Sequence, residues 1–235
     1  MELRAVLFDA GHTLIYIDPV RVVGLLDAAG VSVDLETFRT AEVEARRALQ
    51  EHVHAGHTGT EPEVWRPYFA ALLAGVGVSG ERMQDVTERI RREHARAHLW
   101  TYPAPGTQDV LRQLSDEGYR LAVISNADGR VRSVLEQVGL APFFEFVLDS
   151  ADVGIEKPDA GIFREACRRL DLAPASCLYI GDLLPVDIVG ARGAGLQALL
   201  LDPLGVHRGD AEVLADLREL PHWLRSRRVG LNRDS

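Results

Sequence analysis

Apolar positions in this chain follow two periods, a short unbroken run and a helical face, and the two alternate in blocks. Arg4 to Phe8 is a compact apolar run broken by Asp9-Ala10-Gly11-His12-Thr13, the pattern of a buried strand running into a tight loop. A long helical stretch follows. Asp18 and Pro19 mark a helix start, and Val22, Val23, Leu25 and Leu26 give it one apolar face up to Gly30. Asp34 to about His54, Glu61 to Ala74 and Gly80 to about His98 read the same way, so residues 17–98 are four helices with no strand between them. Trp65, Tyr68 and Phe69 fall on one helical face and read as its core.

After Trp100 the pattern changes. Helices over Thr107–Glu117, Gly129–Val138, Asp159–Leu170, Pro185–Ala194 and Leu220–Arg227 are separated by strands. The strands cover Arg120–Ile124, Phe146–Leu148, Cys177–Ile180 and Leu196–Leu201. Strands alternating with helices require crossover connections, hence a parallel sheet covered on both faces. The fold class is therefore α/β, a Rossmann-like parallel sheet, with an inserted four-helix domain. The expected boundaries are 1–16 with 99–235 for the sheet domain and 17–98 for the insertion, which would cap the sheet's ligand-binding edge. Ligands of such sheets bind beyond the carboxyl ends of the strands.

Composition narrows the function. Of 235 residues, 46% are hydrophobic, enough for a sizeable core. A net charge of −9 argues against a nucleic-acid or anionic-membrane partner, which would want a basic face. No apolar run reaches the ~18–20 residues that span a bilayer. The start of the chain lacks the basic-then-apolar pattern of a secretory leader, and Cys167 and Cys177 show no disulfide framework, so a reduced, cytoplasmic setting is expected. Either a monomer or a homodimer is compatible with this composition. The 26 basic residues are 25 arginines and one lysine, Lys157. A lone lysine among so many arginines suits a place that needs a compact ammonium and not a planar fork.

The chemistry-bearing residues cluster at strand ends. Asp9 follows the first strand, with Thr13 four residues on. Ser125 follows the second, Lys157 precedes a helix, and Asp182 and Asp187 bracket the loop after the Cys177–Ile180 strand. Carboxylates of this kind suit Mg²⁺, which keeps waters and takes substrate phosphate oxygens. An ammonium and hydroxyls neutralise the remaining phosphoryl oxygens, and a carboxylate can attack phosphorus. FDAGHTL around Asp9, VISN ending at Asn126, EKPD around Lys157 and GDLLPVD from Gly181, in that order, closely resemble the haloacid dehalogenase (HAD) superfamily, over essentially the whole chain. The helical insertion is similar to that of the phosphatase-type subgroup.

The resemblance implies a Mg²⁺-dependent hydrolase that takes phosphate from a small phosphorylated metabolite. It makes Asp9 the nucleophile and places Mg²⁺ between the Asp9 carboxylate, the Gly11 carbonyl and Asp182. Asp187 would act on the metal directly or through water. Ser125 and Lys157 would bind phosphoryl oxygens, assisted by Thr13 and the Asn126 backbone.

One position departs from the family pattern. Its phosphatases carry a second Asp two residues after the nucleophile as general acid and base, and here that position is Gly11. Such a group contributes ~10²–10⁴-fold. Weak turnover of ordinary alkyl esters is therefore expected, with acyl or aryl phosphates suffering less. His12 could supply the proton, or the substrate or the helical insertion could, or the chain could run other chemistry. Two alternatives stand beside the phosphatase: a haloacid dehalogenase-type hydrolase, and a catalytically weak protein that holds a phosphate ligand.

Overall fold

The computed structural model of the chain describes residues 2–207, 209 and 211–231. The chain divides into two compact units, Met1–Ile15 with Pro103–Ser235, and Tyr16–Tyr102. Its elements in order are β1 (Ala5–Phe8), β2 (Ile15–Tyr16), α1 (Pro19–Ala28), α2 (Leu35–His54), α3 (Pro62–Gly75), α4 (Glu81–Arg96), β3 (Tyr102–Pro103), α5 (Thr107–Asp116), β4 (Arg120–Ser125), α6 (Val131–Gln137), β5 (Val147–Asp149), α7 (Ser150–Val153), α8 (Ala160–Leu170), β6 (Cys177–Gly181), α9 (Val189–Gly193), β7 (Gln197–Leu201), β8 (Val213–Leu214) and α10 (Leu220–Leu231).

In the first unit a six-stranded sheet runs in the order β5-β4-β1-β6-β7-β8, with every pairing parallel. All four residues of β1 and all five of β6 are buried, because helices cover both faces of a parallel sheet and leave no solvated side to tolerate polar residues. Ile162, Phe163, Ala166 and Leu170 of α8 present the matching apolar stripe. Ile162, Phe163 and Leu170 are each worth ~1.5–3 kcal/mol when fully removed from water. The chain leaves β1 towards β4 and β5, then crosses to the other side of β1 for β6. The strand order thus reverses at β1, and the carboxyl end of that strand is where such sheets form a ligand crevice.

In the second unit α1 begins where Asp18 accepts hydrogen bonds from the backbone amides of Val20 and Arg21, with Pro19 at the first helical position. Asp34 caps α2 in the same way through the Thr37 amide, 2.7 Å away. The core of this unit includes Phe38, Leu49, Tyr68 and Leu72. Tyr68 is fully buried and packs edge-on against Trp65 and Phe69. The Arg21 guanidinium reaches the carbonyls of Ala97 and His98 and the Glu93 carboxylate, which ties the end of α4 to α1. Among the described residues no helix is long and apolar enough to cross a membrane.

Two features differ from the sequence expectation. The two-residue strands β2, β3 and β8 are too short to imprint a period on the chain. The expected helix over 185–194 opens instead as a wide π-helical turn, Leu184–Ile188, and only then becomes α9. Pro185 has no N–H to donate, and the Val189 amide reaches back five residues to the Leu184 carbonyl, the spacing of a wide turn.

Candidate active site

The sheet brings three carboxylates and one ammonium to a single point. The Asp9 amide donates to the Ile180 carbonyl at 2.8 Å, so the residue after β1 is still held against β6. Beyond it the loop folds tightly: the Leu14 and Ile15 amides both reach the Ala10 carbonyl, and His12 adopts a left-handed φ of 53°. Asp182 follows β6 directly. Asp187 is turned back by the π-helical turn, where its Oδ2 accepts from the Leu183 amide at 2.9 Å. Such turns recur at functional sites, because they aim a side chain that a regular helix would present elsewhere. Gly181 permits the approach, since a Cβ there would lie 2.4 Å from Asp187 Cγ.

Lys157 completes the cluster. Its Nζ donates to Asp9 Oδ1 at 2.6 Å, Asp187 Oδ1 at 2.7 Å and the Tyr179 hydroxyl at 2.9 Å, which uses all three ammonium protons. The Asn126 side chain clamps the Lys157 backbone from both sides: its amide donates to the Lys157 carbonyl and its oxygen accepts from the Lys157 amide, each at 2.8 Å. Asp9, Asp182, Asp187 and Lys157 are all buried.

Burial and mutual repulsion set the charge state. Burial pushes the Asp9 carboxyl up to about 6, with Asp187 adding to the shift and Lys157 opposing it. Burial, then Asp187 and Asp9, hold Asp182 well above the usual carboxylate range. Burial works against the Lys157 ammonium, but Asp187 and Asp9 together outweigh it and raise its pKa above the ordinary lysine value. When all three are deprotonated, three carboxylates against one ammonium leave two negative charges for a cation to offset. Asp9, Asp182 and Asp187 each offer an oxygen within 4.8 Å of the others, so the donor set is all oxygen, anionic and compact. It fits a small divalent cation such as Mg²⁺.

A stability prediction follows for the metal-free protein. A carboxyl whose folded-state pKa lies above its unfolded value costs nothing below the unfolded value and its full penalty above the folded one. For Asp9, moving from 3.8 to about 6, that penalty is on the order of 3 kcal/mol. Asp182 adds in the same direction, while Lys157 stays charged throughout this window. Thermal denaturation in EDTA should therefore show a lower Tm at pH 7.5 than at pH 5, with a smaller difference in Asp182→Asn. An unchanged difference in that variant would remove Asp182 as a source of the penalty.

The remaining residues singled out from sequence lie along the same edge of the sheet. Ser125 ends β4, buried, in register with Asp149 of β5. Thr13 is fully buried, and its hydroxyl has no hydrogen-bond partner among the described residues, which leaves it available to a ligand. His12 is buried with Nδ1 3.8 Å from Asp182 Oδ2. Gly11 lies outside the left-handed region, and a Cβ built on it meets nothing within 4 Å. Asn126 contributes its side chain as the Lys157 clamp, a contact that its position after Ser125 did not signal. Tyr179 was not singled out at all, because Cys177-Leu178-Tyr179-Ile180 reads as one apolar strand. The available signal was the hydroxyl itself, which a buried tyrosine has to place on a partner.

Comparison with known proteins gives the same fold and the same class. The "haloacid dehalogenase-like hydrolase domain-containing protein 3" of Bos taurus is 30% identical over 208 residues, which cover 86% of this chain and 82% of the relative. The "glyceraldehyde 3-phosphate phosphatase" of Methanopyrus kandleri is 32% identical over 201 residues, covering 83% and 82%. The putative HAD-hydrolase YfnB of Bacillus subtilis, solved bound to magnesium, matches 95% of this chain and 99% of its own with a TM-score of 0.68 at 24% identity, a likeness of fold. A family model for haloacid dehalogenase-like hydrolases matches residues 3–195, and the chain belongs to that family.

Proposed function

We propose that the protein is a Mg²⁺-dependent phosphatase that acts on a small phosphorylated metabolite through an aspartyl-phosphate on Asp9. The observation that carries this reading is the buried Lys157 ammonium, 2.6 Å from Asp9 and 2.7 Å from Asp187, with Asp182 completing the acidic cluster. The similarity to a named glyceraldehyde 3-phosphate phosphatase supports the phosphoester class.

Asp9 attacks phosphorus, forming an O–P bond as the alcohol leaves. Water then cleaves that bond, releasing inorganic phosphate and regenerating the carboxylate. Lys157 pins Asp9 Oδ1, which fixes the carboxylate plane before the substrate arrives. Substrate binding would exchange one of the three Lys157 hydrogen bonds for a phosphoryl oxygen, with Ser125, Thr13 and the Asn126 backbone amide binding the others. Asp9, the Gly11 carbonyl, Asp182 and Asp187 would hold Mg²⁺, which supplies charge neutralisation for the transferring phosphoryl group. No carboxylate stands at Gly11 to protonate the leaving group, so His12 is the nearest titratable side chain in sequence for that step.

The test is hydrolysis of p-nitrophenyl phosphate, read by phosphate release, followed by a panel of phosphorylated metabolites. Turnover with Mg²⁺ that is lost with EDTA is expected, together with a Tm rise on adding Mg²⁺ that is larger at pH 7.5 than at pH 5. Halide release from 2-haloacids that survives EDTA would decide for a dehalogenase. Phosphate-ligand binding without turnover would decide for a binding protein.

A further inference from the structure

We infer that Tyr179 is a positioning residue for this site: its hydroxyl holds the Lys157 ammonium in place and ties the ends of β4 and β6 together around the nucleophile. The inference rests on the proposed function for its catalytic consequence, and on geometry alone for its structural one.

Tyr179 lies on β6, fully buried, with its ring edge-on to Phe163 at 5.0 Å between centroids. Its hydroxyl accepts from Lys157 Nζ at 2.9 Å. The hydroxyl's own proton faces two acceptors, the Ile124 carbonyl at 3.1 Å and Asp187 Oδ1 at 3.2 Å. Ile124 immediately precedes Ser125, so the hydroxyl spans from β6 to the end of β4, the strand on the opposite side of β1. One oxygen thereby touches the ammonium, one carboxylate of the acidic cluster and the backbone that carries Ser125.

Each hydrogen bond an ammonium makes hinders its rotation about the Cε–Nζ bond and narrows where Nζ can sit. With Asp9 and Asp187 alone, Lys157 keeps one donor unspent in a buried site and can tilt between the two carboxylates. The third bond removes that freedom. Phenylalanine at this position keeps the ring in its packing against Phe163 and deletes only the oxygen.

The chain's single lysine makes the test direct. Protein grown with ¹⁵Nζ-lysine gives one side-chain ammonium resonance, observable without metal or substrate. In Tyr179→Phe that resonance should shift and its protons should exchange with water at least ~10-fold faster, as expected when a charged hydrogen bond is lost. In the Mg²⁺-loaded enzyme kcat should fall ~10-fold, while KM changes less than ~3-fold. An unchanged resonance and unchanged kcat would overturn the inference, even if Tm falls, because a purely structural hydroxyl would lower only Tm. If Tyr179→Phe does not fold, the unsubstituted protein decides through a cross-peak between the Nζ protons and the Tyr179 ring protons: its presence supports the inference and its absence overturns it. Activity persisting in Asp9→Asn would sink the functional reading instead, and the Nζ resonance would still decide the role of Tyr179.

Discussion

Asp9→Asn is expected to reduce phosphatase turnover to background, a loss on the order of 10⁴-fold or more. The substitution is nearly isosteric, and the Asn oxygen still accepts from Lys157, whose Nζ lies 2.6 Å from Asp9 Oδ1. What disappears is the anionic oxygen that, in the proposed mechanism, attacks phosphorus. The fold should survive and gain stability above pH 6, because a buried carboxylate held up to about 6 is replaced by a neutral amide. The combination separates a catalytic loss from a folding one. Acid-quenched wild-type protein should carry phosphate on Asp9 during turnover, and the variant should carry none. Turnover at the wild-type rate would move the nucleophile elsewhere and remove the reason for the buried ion cluster.

Gly11→Asp is expected to work in the other direction. It should raise kcat for alkyl phosphates by ~10²-fold or more, within the range that a positioned general acid and base supplies. Two structural facts make the gain attainable. A Cβ at Gly11 meets nothing within 4 Å, and the backbone there is outside the left-handed region, so the side chain enters without strain. The gain should be small for p-nitrophenyl phosphate, whose leaving group departs without a proton in the first step. The ratio of alkyl to aryl turnover, compared between variant and parent, is therefore the decisive measurement. A fourth carboxylate beside three should also lower Tm in EDTA and make Mg²⁺ more stabilising. If turnover of both substrate classes falls, the site is tuned for a proton route that the new carboxylate disturbs. His12, with Nδ1 3.8 Å from Asp182, is the residue to substitute next.

Much of this architecture is legible along the chain, because parallel strands buried on both faces have to be unbroken apolar runs. Ala5–Phe8 and Cys177–Ile180 announce themselves in that way, the first followed directly by Asp9 and the second, after Gly181, by Asp182. The singular Lys157 is legible by contrast with 25 arginines. The π-helical turn that aims Asp187 is not legible: a helical period reads the same whether its first turn is wide or regular, and only the bond from the Val189 amide to the Leu184 carbonyl, five residues back, distinguishes them. Tyr179 hides for a related reason, since a strand run treats a tyrosine as one more apolar residue and says nothing of where its hydroxyl lands.

By itself, the amino-acid order determined the class of fold, the family and the residues that carry charge at the strand ends, because those depend on local pattern and residue type. Only the tertiary structure decided that one ammonium spends all three protons on Asp9, Asp187 and Tyr179, and that Gly11, two residues after Asp9, has open space where a carboxylate would fit. Those facts belong to contacts between segments up to 148 residues apart, whose distances are set by sheet register and side-chain packing and by nothing local to either segment.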